Sequence, residues 1–289
     1  CRAKRIRDGQ ETPAPLTPVP GPERETDMLQ RRLLAVFIAF LAAPATALDL
    51  DGYRIVDLSH AYGEDTLYWP TSPSAFDMKE LAYGDSGAGY FYSAYSVCTP
   101  EHGGTHLDAP IHFAANGAGN AALPLQQLIA PAVVIDVSEK AAADRNYRLS
   151  VDDVRRHEAE YGRIPRGSMV FMRTDWSRYW PDARAYLGDD TPGDASRLAF
   201  PGFGADATRV LVEERGVRML GIDTASIDYG PSQDFIAHRI AAAAGTANLE
   251  NLTGLAELPA TGSTVFALPM KITGGSGGPV RVVALVPKR

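Results

Sequence analysis

The stretch His102-Gly103-Gly104-Thr105-His106-Leu107-Asp108-Ala109-Pro110-Ile111-His112-Phe113 gathers three of the chain's six histidines and one aspartate within a few residues. A helix would set His102 and His106 four residues apart on one face, but Gly103, Gly104 and Pro110 oppose a helix. A loop with an extended segment is expected instead, on which His106 and Asp108 point to the same side. The two glycines let the backbone fold back far enough for His102 to join them. Two imidazoles and a carboxylate form a mixed nitrogen and oxygen donor set suited to zinc, manganese or iron. The absence of cysteine argues against a closed structural zinc site. Read singly, each histidine is as well explained as a hydrogen-bonding loop residue; read as a cluster, they point to a metal site with a spare base.

The segments around this loop set the fold class. Tyr53 to Leu58 reads as an opening strand ending at Ser59-His60, where His60 needs no role beyond that of a strand-end polar residue. Between Tyr90 and Val97 aromatic and small residues alternate, as in a half-buried strand that delivers the chain to His102. Leu123 to Ile129 fits a short helix, and Ala132 to Val137 is a continuous aliphatic run of the buried-strand type. Ser150 caps a helix through Tyr161, with Asp152 and Asp153 in its first turn and His157 on a solvated face. Met169 to Thr174 is a further buried strand. The aromatic-rich loop Asp175 to Trp180 follows, either covering a pocket or simply packing. Ala205 to Arg215 reads as a helix stopped by Gly216, Met219 to Ile222 as a strand, and Asp234 to Ala244 as an alanine-rich helix with His238 toward its middle. Thr264 to Pro269 and Val280 to Val286 are the last strands, joined across a glycine-rich turn, Gly274 to Gly278, that lacks the lysine and helix of a P-loop. Strands alternating with helices predict an α/β fold with a central, at least partly parallel sheet, and sites collect where such strands end.

Two features lie apart from the loop. Glu250 is a carboxylate inside the apolar stretch Leu249-Glu250-Asn251-Leu252, and such a group needs a partner. His238 stands twelve residues before it. The polar turn Gly221 to Asp228 reads as self-tying, with no catalytic role for Asp223 or Asp228.

Composition bounds the rest. With 289 residues, 45% of them hydrophobic, the chain can bury a full core, and nothing marks a second domain. The balance is acidic, 28 basic against 35 acidic side chains, with no aromatic-interleaved basic patch, so nucleic acid is excluded as a partner. Residues 1–27 are rich in proline and charge and are expected to be an extension without a fold. From Met28, Arg31 and Arg32 precede the apolar run Leu33 to Ala43, and Ala45-Thr46-Ala47 offers a signal peptidase its small residues. Residues 28–47 thus have the form of a secretory signal peptide, too short in its apolar run to span a bilayer. Residues 48–289 form the expected folded domain, periplasmic or secreted, with no membrane attachment after cleavage. Cleavage removes seven basic and five acidic groups, which takes the formal charge from −7 to −9. Cys98 is then the lone cysteine, and an intramolecular disulfide is impossible.

The pattern His, any residue, Gly-Thr-His, any residue, Asp, any residue, Pro, any residue, His-Phe at 102–113 resembles the signature of the cyclase family of metal-dependent hydrolases, which includes isatin hydrolase and bacterial kynurenine formamidase (arylformamidase). Every fixed position is present, and the resemblance runs from about Asp51 to the C-terminus. It implies a single domain of the cyclase-like swivelling β/β/α type with a central mixed sheet. It also implies His102, His106, Asp108, His238 and Glu250 as metal ligands, His112 as general acid/base, and Trp69 of Trp69-Pro70 beside the substrate. The family pattern often continues with glycine after that proline, where this chain has Thr71-Ser72-Pro73. The cofactor it implies is a divalent metal, Mn2+ or alternatively Zn2+, as one or two ions. A homodimer or higher homo-oligomer is expected.

Metal-activated water, with His112 moving protons, fits hydrolysis of a carbon–nitrogen amide bond. The aromatics around Trp69 suit a small, flat aromatic amide. Ring opening of a cyclic amide, as in isatin hydrolase, is the first reading, since a secretory signal fits poorly with cytoplasmic tryptophan breakdown. Removal of a formyl group from N-formylkynurenine is the second. In that case the amino-acid head needs a partner, for which only Arg173 and Arg178 offer themselves. A noncatalytic periplasmic metal- or ligand-binding protein is the third, and it would have no use for an unligated His112.

Overall fold

A computed structural model describes residues 49–288, and the extension and signal-peptide assignments lie outside the described residues. Twelve strands follow one another: β1 Tyr53–Asp57, β2 Asp77–Asp85, β3 Phe91–Cys98, β4 His106–Asp108, β5 Ile129–Asp136, β6 Arg148–Leu149, β7 Met169–Arg173, β8 Gly202–Phe203, β9 Met219–Ile222, β10 Ala247–Glu250, β11 Ser263–Pro269 and β12 Gly277–Pro287. The helices are α1 Leu125–Leu128, α2 Ser138–Ala143, α3 Val151–Tyr161, α4 Ala183–Leu187, α5 Ala205–Arg209 and α6 Ile236–Ala243, with a π-helical turn Val210–Arg215 continuing α5. None is long and apolar enough to cross a membrane.

Eight strands form one mixed sheet in the order β1-β12-β11-β5-β7-β9-β10-β4. Strand β4 also pairs with the start of β12, so the sheet closes on itself. The pairs β5/β7, β7/β9 and β9/β10 are parallel, while β12/β11, β11/β5 and β10/β4 are antiparallel. The α/β fold class and its mixed central sheet are as expected.

Alternation along the strands explains why the aliphatic runs are continuous. In β7, Met169 and Phe171 face one core while Val170 and Met172 face the other; in β5, Ala132 and Val134 oppose Val133 and Ile135 in the same way. The first core fills the closed sheet and also holds Leu107, Leu249, Val265 and Val282. The second lies between sheet and helices and takes Val154 of α3, Ala207 of α5 and Ala237 and Ala241 of α6. A strand apolar on both faces is what a sheet covered on both faces requires. Ser150 caps α3 as expected, and the structure makes the cap a capping box in which Asp153 reaches back to the Ser150 backbone.

Three expectations change. His157 is buried, 7% exposed, packed against Tyr161 with its Nε2 unpartnered, rather than solvated: α3 turns that face inward. His238 is the third residue of α6, not a mid-helix residue, because the helix begins only at Ile236. The strand that leads to His102 is not half-buried. β2 and β3 pair only with each other, as an antiparallel hairpin whose residues are almost all exposed.

Candidate metal centre and cavity

The two-residue period of β4 decides where its side chains go. Leu107 enters the closed core, so His106 and Asp108 must point to the opposite face. β10 lies alongside in register, with Glu250 opposite His106 and Asn248 opposite Asp108, and Leu249 shares the core with Leu107. His106 and Asp108 of β4 and Glu250 of β10 therefore share a face, onto which α6 brings His238.

The loop before β4 folds as its glycines require. Gly104 has φ 57, and a Cβ there would come within 2.6 Å of the Tyr62 ring; at Gly103 it would sit 2.1 Å from the Tyr68 ring. The Tyr62 hydroxyl donates to the carbonyls of Gly103 and Thr105 at 2.6 and 2.9 Å, and Thr105 Oγ1 donates to the Asn251 carbonyl at 2.6 Å. These bonds tie the loop to β10, and His102 closes on Asp108.

The donor atoms converge. His102 Nδ1 lies 2.6 Å from Asp108 Oδ1, and His106 Nε2 lies 3.2 Å from the same oxygen and 3.5 Å from Glu250 Oε2. His238 Nε2 lies 3.1 Å from Asp108 Oδ2 and 3.0 Å from Glu250 Oε1. They form two candidate metal triads that share Asp108: His102, His106, Asp108 and Asp108, His238, Glu250. The structure thus brings together all five residues the resemblance implied.

The outer nitrogens of the rings test whether the set fits a metal. His106 Nδ1 faces the Gly104 carbonyl at 3.0 Å, so it must carry the proton, and His238 Nδ1 faces Asp228 Oδ2 at 2.8 Å in the same sense. Neutral rings so oriented turn bare Nε2 lone pairs onto two carboxylates. Acceptors meeting acceptors in a buried place need a cation between them. The proton affinities carry the same message. Burial disfavours charge on His106, but Asp108 and then Glu250 outweigh it, and its pKa rises to about 9. His238 is pushed well up by Glu250, Asp108 and Asp228 against the same burial. Asp108 is held well below the usual carboxylate range, the imidazoles outweighing its burial. The site calls for positive charge, and the donor set suits a divalent ion.

Asp228 accepts from the backbone N–H groups of Ala237 and His238 at 2.9 and 3.1 Å as well as from the His238 ring. It therefore orients both the start of α6 and the His238 ring, a role the sequence did not indicate. No local signal marked it, because Asp228 stands in a polar turn with Asp223, Thr224 and Ser226. Asp223 is a different case. It accepts from Thr174 N and Oγ1 and from Trp176 N, while burial drives its pKa up to about 6, and it ties the start of the aromatic loop.

His112 lies parallel to the His102 ring, centroids 3.8 Å apart. Burial lowers its pKa to about 4; Asp108 opposes that shift and the ligand imidazoles add to it. It is a neutral imidazole beside the donor set, its ring stacked rather than bonded there. Trp69, Leu67, Phe113 and Phe235 wall a cavity of about 280 Å³ whose floor is the donor set. Phe235 and Asn251, both lining it, have φ 49 and 53, a left-handed conformation that costs a non-glycine residue about 1–3 kcal/mol and concentrates at ligand sites. Loop Asp175 to Trp180 takes its packing alternative: Trp176 is buried in a third cluster and Trp180 stacks on His60 at 4.2 Å. His60 is therefore more than a strand-end residue. Arg173 is held by Asp136 and Asp175, and Arg178 lies over Tyr179; neither lines the cavity.

Residues 56–229 match the family model described as "Putative cyclase". An isatin hydrolase of Roseibium aggregatum is 36% identical over 249 residues, 81% of this chain and 92% of that protein. A kynurenine formamidase of Sphingopyxis alaskensis is 30% identical over 230 residues, 80% of this chain and 97% of that one. Among solved structures, an isatin hydrolase bound to the product analogue thioisatinate superposes with a TM-score of 0.76 at 29% identity, covering 92% of this chain and all of that one. With the donor set of β4, β10 and α6 already assembled, these likenesses establish that the chain belongs to the cyclase family.

Proposed function

We propose that the chain opens the ring of a small aromatic cyclic amide of the isatin type. The observation that carries this reading is the lining of the cavity: aromatic and aliphatic walls, a metal-type floor, and no lysine or arginine among the described lining residues. A flat fused ring lies against Trp69 and Phe113 with its amide carbonyl toward the floor. N-formylkynurenine would bring an amino-acid head that this lining has no cationic group to receive.

His102, His106, Asp108, His238 and Glu250 would hold one or two divalent ions, with Mn2+ preferred and Zn2+ the alternative; these oxygen and nitrogen donors serve both. The ion would supply Lewis acidity, lowering the pKa of water at the site and polarising the carbonyl. His112 accepts a proton at the attacking water and returns it to the leaving nitrogen, a role suited to a neutral ring beside the donor set but not part of it. Asp228 keeps His238 in its Nδ1–H tautomer. The reaction belongs outside the cytoplasm, in keeping with the signal-peptide form of residues 28–47.

We further propose that the chain pairs with a second copy through the β2–β3 hairpin. Register places Met78, Tyr83, Phe91, Tyr95 and Val97 on one face, each at least 42% exposed, and the outer edges of both strands are unpaired among the described residues. Such a face and such edges are rarely left to water, and a second hairpin is complementary to both.

The deciding experiment for substrate is kcat/KM for isatin and for N-formylkynurenine, each with Mn2+ and with Zn2+. Isatin is expected to be preferred with either ion. Preference for the formamide with both would replace this reading by arylformamidase, and turnover of neither would leave a binding protein.

A further inference from the structure

His102 differs from the other two ring ligands. Its side chain is 26% exposed against 4% for His106 and His238, and it presents Nδ1 rather than Nε2 to the carboxylates. Nδ1 lies 2.6 Å from Asp108 Oδ1, while Nε2 lies 2.8 Å from Ser276 Oγ, in the glycine-rich turn before β12. A neutral imidazole has one N–H, and the nitrogen that carries it cannot bind a cation.

The hydroxyl of Ser276 also has a single proton. It donates that proton to Glu101 Oε2 at 2.7 Å, and the Ser276 backbone N–H donates to the same oxygen at 3.0 Å. A carboxylate only accepts, so Ser276 Oγ has only lone pairs left for His102. Nε2 must then be the protonated nitrogen, and Nδ1 is left bare toward Asp108. The surroundings leave this arrangement little freedom. A Cβ on Gly275 would come within 2.5 Å of Glu101 Oε1, and one on Gly277 within 2.7 Å of His102 Cε1. The turn itself is pinned, with the Ser276 carbonyl accepting from Ala109 N at 2.8 Å and the Gly275 carbonyl from Asn120 N at 2.9 Å.

We infer that Ser276 and Glu101 are positioning residues that select the Nε2–H tautomer of His102 and so offer Nδ1 to the ion. This rests on the reading of the cluster as a metal site. The same turn starts the strand that closes the sheet against β4, Gly277 pairing with Asp108. Closure of the sheet and orientation of the most exposed ligand are therefore one structural event.

The test uses Ser276→Ala with Ser276→Thr as the conservative control, and Glu101→Ala as a second route should the first variant fail to fold. Affinity for Mn2+ and Zn2+ is read by chelator competition, and the His102 ring by 15N–1H spectra of the zinc-loaded protein. The parent and the threonine variant should show zinc on Nδ1 with a slowly exchanging Nε2–H. The alanine variants should lose that protection and bind the ions about 10–100-fold more weakly, the usual cost of removing a partner of a metal-bound histidine. A role confined to the turn would move neither the tautomer nor the exchange. Unchanged affinity and unchanged ring spectra in both alanine variants would overturn the inference and leave the metal reading intact. Zinc bound through Nε2 in the parent would do the same. A parent that takes up neither ion would overturn the metal reading and this one with it.

Discussion

At the scale of single residues, the proposed roles separate groups that would hold an ion from a group that would act beside it. Asp108 belongs to both triads, so Asp108→Ala is expected to abolish binding at either, as metal analysis of the purified variant reads directly. His112 stacks on a ligand without joining the donor set, so His112→Ala should retain its metal and lose turnover by about 10²–10⁴-fold, the usual worth of a proton-transfer group. A His112→Ala protein isolated without metal would make His112 a ligand and reverse the assignment. His106 and Asp108 could be paired from spacing alone, since a strand repeats every two residues. Ser276 could not, because it stands among glycines in a turn far along the chain and nothing local marks it.

At the scale of elements, α3 and the β2–β3 hairpin make separate claims. Asp153 is buried, accepts from Ser150 N and Oγ and from the Tyr147 hydroxyl, and pairs with Lys140; burial would raise its pKa, but these bonds hold it at about 2. A carboxylate whose pKa falls on folding adds stability above its unfolded value near 4, and loses it as pH drops toward 2. Asp153→Ala should therefore cost about 1–3 kcal/mol at neutral pH through the lost cap and orphaned donors, with the gap to the parent narrowing below about pH 4. Denaturant titrations of both proteins across that window check it, and a gap independent of pH would exclude the ionised carboxylate as the cause. For the hairpin, Tyr83→Lys with Phe91→Lys should turn the oligomer into a monomer, read by light scattering. A parent already monomeric would remove the oligomer proposal. The aromatic alternation of Tyr90 to Val97 was legible as a strand, but not its exposure. Alternation shows that one face differs from the other, not that anything covers it.

At the scale of the whole molecule, the described core lies between Val56 and Val286. If the chain is exported as proposed, its mature form begins at Leu48, which N-terminal sequencing reads. Recovery in the membrane fraction with Leu33 to Ala43 still attached would defeat the signal-peptide reading. What the sequence determined by itself is whatever depends on neighbours along the chain: the strand and helix alternation, the Ser150 cap and the pairing of His106 with Asp108 on one face; the resemblance added which five residues would be found together. Tertiary structure alone decided the rest. Closing the sheet brings residue 276 against residue 102; packing α6 on β10 brings Asp228 to His238; burial of the inner face of α3 takes His157 from water. Local propensity acts over a few residues, whereas which nitrogen of a ring keeps its proton depends on groups that meet only when the chain has folded.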